Sequence, residues 1–301
     1  MSADATRSDT TPGSAAEGAA GRNAWRRFWN RGGWWKALVA AVVYLALYLG
    51  AGALIGRFAG DLIDRDDLAA TPESVFFALA LPPLVGGVIL LLFAWSLGWL
   101  RPLFSRRPQH ARGWMWIAPA LVAAAIVLRL AGTDYGSYTV ASVAAIFLAG
   151  LFVGFSEELL TRGLVVDLLR RRGYGEWAVM LLSTLVFALL HSANLLSGFS
   201  LDTVLLTIGF AFGFGICMYL TLRVTGSLLV PMLLHALYDP SVILATGGVD
   251  QSGANAAHNP LVAIGGLSTF AFLLLAVLAL FLVRGRLATR ADGLIDRRTP
   301  A

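Results

Sequence analysis

Apolar residues come in eight long runs separated by short polar stretches, and this pattern predicts the architecture before any motif does. The runs lie at about 37–56, 74–100, 114–131, 140–160, 176–191, 203–222, 227–246 and 261–283. Each approaches the ~20 residues that a helix needs to cross a hydrocarbon core of ~30 Å. Pro82-Pro83 and Gly86-Gly87 predict a kinked or thinned second helix.

The polar stretches alternate in sign. Arg and Lys gather before the first run and between runs two and three (Arg101, Arg106, Arg107, Arg112). They recur after run four (Arg170, Arg171, Arg172), at Arg223 after run six, and in the tail (Arg284, Arg286, Arg290, Arg297, Arg298). The intervening loops carry Asp61, Asp64, Asp66, Asp67 and Glu73, then Asp134, Asp202 and Asp250. Arg57 and Arg65 are exceptions, and Arg129 stands near the outer end of run three. The positive-inside rule is met by eight spans with both termini cytoplasmic. The fold class is therefore all-α, a polytopic protein of the cell membrane.

Composition agrees: 57% of the 301 residues are apolar and only 14% are charged. The net charge of +5 does not indicate nucleic acid, because the basic residues flank apolar runs. The single cysteine, Cys217, lies inside a run and reads as a small core residue. Residues 1–21 lack apolar periodicity and read as a disordered leader. Arg22 to Lys36 interleaves basic residues with Trp25, Phe28, Trp29, Trp34 and Trp35, an interfacial anchor. Arg26-Arg27 suggests a twin-arginine signal, but the apolar run behind it has spanning length, which predicts no removal. The domains expected are a disordered basic and aromatic cytoplasmic tail (1–36), N-terminal transmembrane helices (37–131), a catalytic helical core (140–246), a last span (261–283) and a basic cytoplasmic tail (284–301).

One stretch breaks the apolar pattern. Gly154-Phe155-Ser156-Glu157-Glu158-Leu159-Leu160-Thr161-Arg162-Gly163 follows an uncharged run from Val140 to Phe155. A charged side chain at membrane depth costs roughly 2.5–3.5 kcal/mol on insertion scales, so such groups are paired or face a wet cavity. Glu158 and Arg162 are four apart and share a helix face. Glu157, about 100° round the helix, points elsewhere and is free to act as a base. The alternative is that run four ends at Ser156, with the charges among the headgroups.

His191, His235 and Asp239 also lie in apolar runs; His110 and His258 fall in loops and carry no assignment. Counted at 1.5 Å per residue, Glu157 lies ~20 Å from the basic end of its helix, His191 ~24 Å and His235 ~14 Å, which permits convergence. Gly209 and Gly213 of run six, with Gly86-Gly87 and Gly265-Gly266, read as close helix-packing positions.

Taken in order, Glu157-Glu158-x-x-x-Arg162, Phe187-x-x-x-His191 and His235-x-x-x-Asp239 resemble the CAAX protease and bacteriocin-processing (CPBP) family of intramembrane endopeptidases. The resemblance covers roughly Val140 to Ile243. It implies that Glu157 and His191 activate water for attack on a peptide carbonyl, while His235 and the residue at Asp239 stabilise the oxyanion. Many members have Asn at the last position. An Asp donates a hydrogen bond only when protonated, so Asp239 is either held neutral or orients His235. Glu157, His191 and His235 could also coordinate Zn²⁺; metal-free water activation is the preferred reading, with no cofactor required. The partners implied are a peptide or membrane-protein substrate, possibly lipidated, and membrane lipids, with no nucleic acid. Two other functions compete: a catalytically silent scaffold or bacteriocin self-immunity factor of the same family, and a transporter whose carboxylates relay protons.

Overall fold

The computed structural model describes residues 24–106, 111–248 and 259–287. The leader over 1–21, His110, His258, Arg107, Asp250 and the tail beyond residue 287 lie outside the described residues. Among the described residues eight helices are long and apolar enough to span: α1 (Trp34–Leu62), α2 (Pro72–Leu97), α3 (Gly113–Gly132), α4 (Val140–Arg171), α5 (Glu176–Ser197), α6 (Leu201–Thr225), α7 (Leu229–Thr246) and α8 (Pro260–Leu282). No strand occurs among the described residues. The protein is a multi-pass membrane protein.

The solvent explains the layout. Large apolar side chains such as Leu38, Val42, Leu54, Phe270, Leu274 and Phe281 point outward, where lipid receives them. The polar residues of the spans turn inward instead: Ser156, Glu158, Thr161, Arg162, Glu176, Ser183, Thr184, Arg223, His235 and Ser241 are all buried. α4 packs between α2 and α7; α7 meets α3, α3 meets α8, α8 meets α6, and α6 meets α5, which returns to the lower half of α4.

α4 is longer than the apolar run predicts. It continues past Ser156 through the charged stretch to Arg171, and Leu159, Leu160, Leu164, Leu168 and Leu169 within it are enclosed by other helices. The headgroup alternative for Glu157 and Glu158 therefore fails, because protein rather than lipid surrounds the extension. α2 widens into π-helix over Val75–Ala80 just ahead of Pro82-Pro83, consistent with the expected distortion.

The basic segments meet at one end of the bundle. Arg106 donates to the Thr225 carbonyl (3.2 Å), and the Glu176 N–H donates to the Gly285 carbonyl (2.8 Å). Residues 24–30 are helical, so the expected disorder does not reach position 36. This short helix docks on protein as well as facing outward. Trp29 is buried edge-on against Phe93, with centroids 4.9 Å apart, and Asn30 Oδ1 accepts from Trp99 Nε1 and Arg171 Nη1, both at 2.9 Å. Gly32 (φ +60) turns the chain against α4, where a Cβ would stand 2.2 Å from the Leu168 carbonyl. At the same end Glu176 is enclosed by Arg170 Nη2 (2.8 Å), Arg223 Nη1 (3.0 Å) and the Tyr219 hydroxyl. Arg223 is thus a buried residue of α6 rather than a loop charge.

Candidate active site

Closest approach between α4 and α7 builds the site. A Cβ on Gly150 would lie 2.3 Å from Pro240 Cγ, and one on Gly154 would lie 2.5 Å from the Ala236 nitrogen. Small residues one turn apart let two backbones touch, and this contact delivers His235 to the Glu pair one turn further along α4. Just past that pair α4 loosens into π-helix over Leu159–Val165, a deformation often found at functional sites.

Arg162 sits inside the π turn with its side chain fully buried. Its Nη1 donates to Glu158 Oε1 (3.2 Å) and Thr161 Oγ1 (2.6 Å), and its Nη2 donates to the Gly215 carbonyl (2.8 Å). The guanidinium also lies over the Phe187 ring, 4.3 Å from the centroid. Gly215 is required here, because a Cβ would stand 2.8 Å from Arg162 Nη2. The expected Glu158–Arg162 pair therefore forms.

Glu157 departs from expectation in one respect. It does not point away from its neighbour's partners, because one imidazole bridges both carboxylates. His235 Nδ1 lies 3.0 Å from Glu158 Oε1, while Nε2 lies 3.9 Å from Glu157 Oε2 and 3.4 Å from Asp239 Oδ2. A ~100° rotation between adjacent side chains separates them only with respect to distant groups; His235 is wedged between the helices and reachable from both sides. Glu158 is inaccessible, whereas the Glu157 and Asp239 side chains are 25% and 33% exposed. The cluster thus opens along its Glu157–Asp239 edge.

His191 ends the α-helical part of α5 and starts a 3₁₀ turn, His191–Ser197. Its Nδ1 is 3.1 Å from the Phe187 carbonyl. A carbonyl only accepts, so Nδ1 is the donor in this contact and Nε2 is the ring nitrogen left for another partner. Phe187 packs edge-on to both imidazoles, with centroids 5.2 Å from His191 and 5.7 Å from His235, and Phe214 lies 5.0 Å from His235. These rings make an apolar wall that strengthens the charge interactions beside it.

Glu157, Glu158, Arg162, His235 and Asp239 therefore form one contiguous cluster, and His191 joins it through Phe187. Thr161, Gly150, Gly154, Phe214 and Gly215 escaped the sequence reading. Of these only the Gly150-x-x-x-Gly154 spacing was a readable signal. Among the packing glycines expected, Gly213 and Gly265 make close contacts, while Gly209 and Gly266 have open space beside them. Cys217 is buried, as expected.

Among the described residues no group of three or more His, Cys, Asp or Glu side chains is placed to hold a metal ion. No step below passes through a metal.

No curated protein and no solved structure matches the chain. Residues 139–240, which contain every group of the cluster, match the family described as type II CAAX prenyl endopeptidase, Rce1-like. This membrane protein therefore carries, on α4 to α7, an Rce1-like domain of the CAAX-protease (CPBP) family of intramembrane peptidases.

Proposed function

We propose that this protein is an intramembrane endopeptidase that hydrolyses a peptide bond with water activated by Glu157 and His191. The observation that carries the reading is the division of labour between the two carboxylates. Glu158 is already held by Arg162 and His235, whereas Glu157 is partly exposed and receives no protein hydrogen bond at its carboxylate. A carboxylate short of donors beside an apolar wall is a competent general base.

In the proposed reaction Glu157 takes a proton from water as the oxygen attacks the scissile carbonyl. The Nε2 lone pair of His191 accepts from the same water and fixes its direction. His235, oriented at Nδ1 by Glu158, presents its Nε2–H to the developing oxyanion. The 3.4 Å contact to Asp239 is long for a hydrogen bond, so that N–H can shift to the stronger acceptor as charge builds. Asp239 acts as the acceptor that aims His235, which suits an ionised carboxylate where many relatives have Asn. Protonated Glu157 then gives its proton to the leaving amine as the tetrahedral intermediate collapses and the C–N bond breaks, releasing an amine and a carboxylic acid that ionises on reaching water. Electrostatic stabilisation of this kind is worth about 3–4 kcal/mol per donor.

The substrate class is a peptide or protein presented at the membrane, with a prenylated CAAX C-terminus as the first to test. The positive-inside rule assigns the basic end of the bundle to the cytoplasm.

The test compares membranes carrying wild type or E157Q at matched levels, with new peptide termini catalogued by mass spectrometry. Termini that appear only with wild type are expected. Identical catalogues, with the Gln variant still rescuing a deletion phenotype, would defeat the hydrolytic reading and favour a silent scaffold.

A further inference from the structure

Arg129, in α3 and outside the segment that matches the family, is oriented against expectation. It stands three residues from the acidic end of its helix at Gly132, where a guanidinium ordinarily snorkels out to the headgroups. Instead it is 6% exposed and turns inward: Nη2 donates to Ser268 Oγ of α8 (3.3 Å), and the guanidinium carbon lies 4.8 Å from the Tyr238 ring centroid. Tyr238 and Ser268 each lie eight residues inside the same end of their own helices, counted from Thr246 and Pro260, or ~12 Å along the axis. Gly265 makes room for the side chain, since a Cβ there would stand 2.9 Å from Arg129 Cγ. Among the described residues no carboxylate pairs with Arg129, and its buried Nη1 has no hydrogen-bond partner. An unpaired buried cation is costly, so its retention in this position calls for a compensating interaction at longer range.

The active site supplies one. Glu157, Glu158 and Asp239 bring three carboxylates together, while the basic side chains that touch them are two, Arg162 and a His235 whose two nitrogens both face carboxylates. Glu176 is satisfied by Arg170 and Arg223 at the basic end. Carboxylates thus outnumber the basic side chains that touch them by one. Arg129 reaches it through a short path: its ring partner Tyr238 directly precedes Asp239 and lies 4.6 Å from Phe214, which in turn lies 5.0 Å from His235.

Resting on the hydrolytic reading above, we propose that Arg129 is a positioning residue of the active site, whose charge acts through Tyr238 to balance the carboxylate cluster and hold Asp239 and His235 in their working arrangement.

The test is a double-mutant cycle in proteoliposomes, using a quenched fluorogenic peptide that ends in farnesylated Cys-Val-Ile-Met. R129Q removes the charge but keeps a donor for Ser268, and is expected to lower kcat about tenfold at unchanged KM. That is the order expected for one charge acting over ~10 Å at an effective dielectric of ~20. R129K should retain most of the turnover. In a D239N background, which already lacks one negative charge, R129Q should cost less than about threefold. An equal loss in both backgrounds would make Arg129 a packing brace and overturn the proposal, as would wild-type kcat for R129Q. If R129Q fails to fold, R129Q/D239N is expected to fold because its charge is rebalanced, and its failure too would overturn the idea. The cycle is read in parallel on melting temperature in detergent, which needs no turnover. E157Q is the control for the underlying reading: if it cleaves the peptide, or wild type does not, it is the proteolytic assignment that falls.

Discussion

Gly154→Ala isolates the helix contact on which the whole cluster depends. The new methyl carbon would stand 2.5 Å from the Ala236 nitrogen, 2.8 Å from the Met232 carbonyl oxygen and 2.9 Å from Ala236 Cα. All three are backbone atoms of α7, so no rotamer change relieves the clash. Restoring ordinary van der Waals contact requires α4 and α7 to separate by ~0.5–1 Å. His235 adjoins Ala236 in the chain, and Glu158 is one turn from Gly154. The 3.0 Å Glu158–His235 contact would therefore open to roughly 3.5–4 Å, beyond hydrogen-bond range. Overpacking of this kind costs about 1–3 kcal/mol, and the better helix propensity of Ala returns about 1 kcal/mol, leaving a net destabilisation of roughly 0–2 kcal/mol. Catalysis is more sensitive, because a misplacement of ~1 Å costs on the order of 10²-fold in rate. G154A should therefore remain folded and inserted while losing most of its turnover. The control is G209A on α6, where nothing lies within 4 Å of the added methyl; it should be neutral in both respects. Cleavage rate per folded molecule and melting temperature, measured side by side after reconstitution, decide the matter. Equal activity for G154A and G209A would refute the argument that this contact sets the catalytic geometry.

Two further substitutions separate fold from chemistry. E158Q leaves buried Arg162 with neutral acceptors alone, Thr161 and Gly215 among them, at a cost of about 3–5 kcal/mol; it should accumulate poorly and melt well below E157Q, as detergent melting curves will show. E176Q sets Arg170 and Arg223 against each other without a carboxylate between them, and a loss of similar size is expected. Because that cluster is at the basic end and shares no side chain with the catalytic one, cleavage per folded molecule should stay at the wild-type level; a matching fall in kcat would show that the two clusters are coupled.

The eight spans were legible because lipid offers no partner to an exposed peptide group, so each crossing must be written as a continuous apolar run. The Glu158–Arg162 pair was legible for a local reason, since four residues along a helix bring side chains together whatever the rest of the chain does. What escaped was tertiary. Nothing local announces that one imidazole 77 positions away will bridge two adjacent carboxylates, or that α4 will widen at Leu159 to seat Arg162 beside the Gly215 carbonyl. Arg129 and Arg223 share a property: both lie near a helix end, where a side chain bound for the headgroups and one bound for the interior leave the same trace in the sequence. Direction alone distinguishes them, and direction is set by what the neighbouring helices offer. Arg223 turns to Glu176 at 3.0 Å. Arg129 turns to a tyrosine ring and a serine hydroxyl that cannot neutralise it. A cation that forgoes nearby water for such partners fits the role proposed for Arg129, set against the three carboxylates of the catalytic cluster.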